Sequence, residues 1–169
     1  MKLLVQGIRS DYVDSVRSGG PDANGQAALV RTAEGMANPC RHCLELIGPG
    51  DEKLVLAYRP FDEVQPYAEV GPVFLHKHAC KRYIADELPA WFKYLQPAII
   101  RGYGHDNWIR YETGEVVPGE ELPNACHQIL SDADIAYVHI RSNVQLLPMS
   151  GRSRIGCLGS VTKTFPPKP

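Results

Sequence analysis

The chain has 169 residues, of which 44% are apolar and 22% charged, and its formal net charge is −1. That length suits one domain with a core of useful size, and the near-neutral balance excludes a global basic field that would gather nucleic acid or an anionic membrane. No apolar run approaches the roughly 20 residues of a membrane helix, and Met1-Lys2-Leu3-Leu4-Val5 is broken at Gln6, Arg9 and Asp11 before it makes a signal peptide, so a soluble, cytoplasmic protein is expected.

In chain order, Lys2 to Ile8 reads as a first strand, and Ser10 is placed to cap a helical turn running to Arg17. Ser18 to Gly25 is turn chemistry throughout; its Asp22-Ala23-Asn24-Gly25 fragment lacks the remaining ligands of a calcium loop. Asn38-Pro39 leads into Cys40-Arg41-His42-Cys43, and Gly48-Pro49-Gly50-Asp51 turns the chain into a strand over 53–59. There Leu54, Leu56 and Tyr58 share one side, opposite Val55 and Ala57. Val73 to His76 is a short buried strand, and 86–94 a short helix with Trp91 and Leu95 on one face. Ala98 to Tyr103 pairs with a strand from Trp108 to Tyr111 that ends at Thr113-Gly114. A helix over 123–130 and a strand over 135–141 complete the series. Strands and helices mix without a βαβ rhythm, which points to an α+β domain with a mixed or mainly antiparallel sheet and a few short helices.

Several runs together resemble an uncharacterised bacterial family, domain-of-unknown-function family 1203. They are Gly20-Pro21-Asp22-Ala23-Asn24-Gly25, Asn38-Pro39-Cys40-Arg41-His42-Cys43-Leu44, Leu56-Ala57-Tyr58-Arg59-Pro60-Phe61 and Pro66 to Leu75, followed by Arg101-Gly102-Tyr103 and Tyr137-Val138-His139-Ile140-Arg141-Ser142. The resemblance spans about Gly20 to Ser142 and implies no established activity. It also implies a continuation of the form Asn-Cys-Tyr-Gln-Cys-Arg, where this chain has Asn143-Val144-Gln145-Leu146-Leu147-Pro148-Met149-Ser150. Permitted codons for Gln145 onward, read one base later, encode Asn-Cys-Tyr-Gln-Cys-Arg-Val-Asp; Met149 followed by a TCN serine necessarily gives cysteine in that frame. Residues 1–142 are therefore expected to form the domain, and 143–169 a divergent, frame-shifted and disordered tail with a Pro-rich end.

Five cysteines is an odd number, which argues against a fully paired disulfide framework and favours reduced thiols. Cys40 and Cys43, separated by two residues, can reach one zinc ion at about 2.3 Å. The shifted frame holds a second such pair, so a four-thiolate zinc site is expected in a frame-corrected chain. Within the chain as it stands, the site is expected to stay incomplete; the candidate replacements are His42, His76, His78 and Cys80, of which His76, His78 and Cys80 alternate and would share one side of an extended segment. The competing readings are buried structural cysteines and a redox dithiol whose pKa Arg41 or His42 lowers.

A second candidate is an anion site. Period two puts Tyr137, His139 and Arg141 on one strand face and Arg101 with Tyr103 on another. Where those faces meet, two guanidinium groups, an imidazole and phenols suit a carboxylate or phosphate. The competing reading is a wet sheet face with Arg–Glu pairs through Glu112 or Glu69. No phosphate loop, nucleophile triad or spaced acid pair assigns a reaction. The expected function is a small binding or metal-stabilised module with an anion-binding Arg/His face. The alternative is an enzyme acting on a small anionic substrate, with His139 as acid/base and Arg101 and Arg141 as clamps.

Overall fold

In the computed structural model, which describes residues 2–35, 38–142 and 157–163, every paired strand runs antiparallel to its neighbour. The first strand, β1 (Leu3–Gln6), alternates buried and half-buried residues and feeds helix α1 (Ser10–Arg17), which buries Val13 and Val16 one turn apart. Ser10 opens this helix but does not cap it. The cap position is Arg9, with no side-chain cap bond, and the Ser10 hydroxyl faces His42 Nε2 at 3.0 Å instead.

A three-stranded sheet follows, with β2 (Leu29–Thr32) and β4 (Gly71–His76) flanking β3 (Glu52–Tyr58). Leu54 and Leu56 point from β3 into a core shared with α1, Val73, Leu75 and Cys40, as the alternating pattern requires. Strand β2 was not foreseen: all four residues are exposed, so it shows no buried periodicity.

The larger sheet has six strands: β5 (Ile84–Ala85), β1, β9 (Cys157–Lys163), β8 (Tyr137–Ser142), β6 (Ala98–Tyr103) and β7 (Ile109–Val117), in that order. Helix α2 (Leu122–Ser131) covers one face, burying Leu122, Ala125, Cys126, Ile129 and Leu130 at helical spacing against Ile100, Val138 and Ile140. The six-stranded and three-stranded sheets, with two helices, make an α+β fold.

Two elements, a helix and a strand, differ from expectation. The helix expected over 86–94 is only a 3-10 turn, Ala90–Tyr94, because Pro89 disfavours helical backbone at Leu88 and sets the turn's start. Strand β7 continues past Gly114 to Val117. Of the segment expected to be a divergent, disordered tail, Cys157–Lys163 is described and forms β9, paired with β1 on one side and β8 on the other; 143–156 and 164–169 lie outside the described residues.

Candidate metal centre and the neighbouring sheet face

The Cys40–Cys43 turn is held by backbone bonds from β4, from the residues after β1 and from the residue before β5. Arg41 N donates to Phe74 O at 2.9 Å on β4, Ile8 N donates to Arg41 O at 2.7 Å, and Tyr83 N donates to His42 O at 2.9 Å. Gly7 lets β1 come this close, since a Cβ there would lie 2.0 Å from His42 O. Leu44, next after the turn, is buried and adopts φ 55°, a left-handed conformation unfavourable for a side-chain-bearing residue. The surrounding bonds fix the turn in one shape.

Strand β4 ends at His76, and the chain bends back through Lys77 and His78 to Cys80. The ligand atoms of Cys40, Cys43, His76 and Cys80 all fall within 4.8 Å of one another. Cys40 Sγ is 3.9 Å from Cys80 Sγ, and Cys43 Sγ is 3.4 Å from His76 Nδ1. Tetrahedral zinc with Zn–S of about 2.3 Å and Zn–N of about 2.0–2.1 Å gives S–S edges of about 3.8 Å and S–N edges of about 3.5 Å. Both distances match such edges, so the donor set fits one tetrahedral cation. The alternation expected over 76–80 is broken by the bend: His78 is exposed there, outside the group of four. Among the described residues, the second ligand pair thus comes from His76 and Cys80.

Outer contacts reinforce the cluster. His76 N donates to Cys40 Sγ at 3.3 Å, Arg17 Nη2 donates to Cys80 Sγ at 3.2 Å, and Arg17 Nε and Nη2 donate to His76 O at 3.2 Å. His42, considered above as a ligand, places Nδ1 3.1 Å from Cys80 Sγ and is bridged to Ser10 on its other side. Burial holds the His42 imidazolium in disfavour. The Cys43 thiol donates to Cys40, which with backbone N–H groups brings the Cys40 thiol down to about 4 against the cost of burial. The same bond, then burial, pushes Cys43 up, and burial followed by the Cys40 charge pushes Cys80 up. The cluster without a cation therefore shares protons among its sulfurs, and those are the protons a divalent ion displaces. The sequence offered no signal for Arg17 as an outer partner; its role depends on α1 packing beside the bend.

Across the larger sheet, register puts Arg101 opposite His139 and Tyr103 opposite Tyr137. The expected face is then divided. Arg141 grips Glu69 through both terminal nitrogens, with one contact at 2.6 Å, and Arg101 Nη1 lies 3.9 Å from the same carboxylate. His139 is 3% exposed and sits among the rings of Phe61, Tyr103 and Tyr137 at centroid distances of 5.4, 4.7 and 5.1 Å. Burial, with Arg141 adding, pushes its pKa down to about 3, so the ring is neutral. Phe61 comes from the loop after β3, which no strand periodicity would place over β8.

No helix among the described residues is long and apolar enough to cross a membrane. A family model described as "Protein of unknown function (DUF1203)" matches residues 37–145. No curated protein and no solved structure matches the chain.

Proposed function

The chain belongs to the DUF1203 family, whose description assigns no activity, and from its own residues we propose that it is a metal-stabilised binding module with one zinc ion held by Cys40, Cys43, His76 and Cys80. The observation that carries this reading is the convergence of those four ligand atoms within 4.8 Å of one another. Three sulfurs and one imidazole nitrogen select a soft or borderline cation over calcium or magnesium. Four protein ligands fill a tetrahedral shell and leave no position for a reacting water, as in structural rather than catalytic zinc sites. Three thiolates and Zn²⁺ carry a net charge of −1, and the Arg17 guanidinium on Cys80 offsets it.

The ion would join three separate parts of the chain: the Cys40–Cys43 turn, the end of β4 and the following bend. Because Ile8 and Gly7, which follow β1, bond to that turn and to Tyr83, the site would also brace the junction of the two sheets. No feature among the described residues favours the alternative of an enzyme using His139. Elemental analysis of the purified chain, expressed with zinc available, tests the proposal. One zinc per chain and a marked fall in melting temperature on adding a strong chelator are expected. Cobalt(II) reconstitution should give tetrahedral thiolate absorption. A metal-free protein whose melting is indifferent to zinc and chelator would overturn it.

A further inference from the structure

A cavity of about 370 Å³ opens between the end of β1, the Cys40–Cys43 turn, the loop after β3 and the start of β8. It is separate from the four-ligand cluster but shares its framework, because Arg41, which lines it, lies between two of the cluster's cysteines. Arg41 is 2% exposed, and its backbone is fixed by Phe74 and Ile8. Arg82 also lines it, with Nε bonded to Gly7 O at 2.9 Å and Nη1 and Nη2 without a hydrogen-bond partner among the described residues. His139 also lines the cavity, and its buried Nδ1 has no hydrogen-bond partner among the described residues.

Charge is graded through this space. Asp62 and Glu63 line it too, but both are exposed, as is Arg9, whose fork is held by Asp11. The inner wall is formed by the buried Arg41 with His139, and Tyr137 and Phe61 provide aromatic surface beside them. A guanidinium pair with an imidazole offers directed donors to a planar or tetrahedral oxyanion. The ring surfaces suit an organic body, and the volume lies within the range of small-molecule sites. We propose that this cavity binds a small organic oxyanion, a carboxylate or a phosphate ester, with Arg41 and Arg82 gripping the anionic group and His139 at its inner end. The Arg101 and Arg141 guanidinium groups, which face Glu69, are outside it.

The two oxyanion types are separated by titrating the purified, metal-replete chain with inorganic phosphate, a phosphate monoester and a dicarboxylate such as malate. Sodium chloride of equal ionic strength serves as the control. At least one should give saturable stabilisation in thermal melting and a heat of binding in calorimetry. Arg82→Gln, at a half-buried position two residues after Cys80 and with its zinc content shown equal to the parent's, should weaken that binding about tenfold or more, the effect of losing a charge-assisted hydrogen bond. Arg101→Gln should leave it unchanged. Arg41→Gln risks disturbing the turn, so Arg82→Gln, with its fold checked by circular dichroism, is the deciding variant. The proposal is overturned by no saturable response to any of the three anions, by an Arg82→Gln affinity equal to the parent, or by binding that Arg101→Gln abolishes and Arg82→Gln spares.

Discussion

Cys80 Sγ lies 3.9 Å from Cys40 Sγ although forty residues separate them in sequence. The turn at Cys40 and the bend after His76 reach each other because Cys40 bridges in parallel to Phe74, two residues before β4 ends at His76. A metal held here closes a long loop, and such closures restrict the unfolded chain most. Cys80→Ser should therefore abolish stoichiometric zinc and remove the melting-temperature response to chelator. Elemental analysis beside a melting curve checks both, and full zinc occupancy in the variant would exclude Cys80 as a ligand.

Arg17 acts on the cluster from outside it. Its guanidinium donates to Cys80 Sγ and to the His76 carbonyl, and its side chain is largely buried at the end of α1. Arg17→Met keeps much of the packing while deleting the donors and the charge. Zinc affinity should fall about 10–100-fold, the usual effect of removing an outer-shell partner, with the stoichiometry unchanged at saturation. Competition against a chromophoric chelator measures this, and an affinity equal to the parent would leave Arg17 with a packing role only.

His139 gives the protein a pH dependence with a definite sign. Its pKa is brought from the ordinary 6.5 down to about 3 by burial, with Arg141 as the second cause. Arg101 lies opposite on β6, and Tyr103, Tyr137 and Phe61 enclose the ring. Between pH 6.5 and pH 3 the unfolded chain binds a proton at this site that the folded chain does not. Stability from the neutral ring is thus complete above the unfolded pKa and falls as pH drops through that window. The slope approaches about 1.4 kcal/mol per pH unit. Denaturant unfolding of the parent and of His139→Phe at pH 6, 5 and 4 isolates the effect, since both share every other titrating group. The variant should lose less stability on acidification; parallel pH profiles would refute the assignment.

Gly7→Ala tests the close approach that joins β1 to the cysteine turn. A Cβ there meets His42 O at 2.0 Å, which is backbone and has little room to move. The expected cost is about 1–3 kcal/mol, as for other overpacked sites. A weaker hold on zinc should accompany it, because His42 precedes Cys43. A urea midpoint equal to the parent's would show that the strand and turn are not held at this distance.

The segment after Ser142 carries a prediction at the level of DNA. If the chain leaves an older frame near Asn143 or Val144, codons 145–153 of the source gene will read Asn-Cys-Tyr-Gln-Cys-Arg-Val-Asp one base later. Codons incompatible with that string would remove the idea. Strand β9 adds a structural test on the same segment, since it occupies a central place between β1 and β8. A chain ending at residue 156 exposes the edges of both neighbours, and its melting should broaden or shift downward.

The elements legible in advance were those whose burial follows a period. The alternation of Leu54 and Leu56, the run at Val73–Leu75, and the i, i+3, i+4, i+7 spacing of Leu122, Ala125, Cys126 and Ile129 all mark a face that must leave water. Strand β2 has no such face, and β9 lies where the resemblance to the family stops, so neither was visible. The sequence by itself determined the α+β class, the family and the half-site Cys40–Cys43. It also put Tyr137, His139 and Arg141 on one side of β8, because strand period is a local property.

Only the tertiary structure decided which partners those residues meet. The bend after His76 turned His78 outward and brought Cys80 in. Glu69 drew Arg101 and Arg141 together while the Phe61 loop closed over His139. The physical reason is that ligand shells and ion pairs are set by distances of a few ångströms between segments far apart in the chain. Such distances depend on how loops pack across sheets, and neither spacing nor periodicity records them.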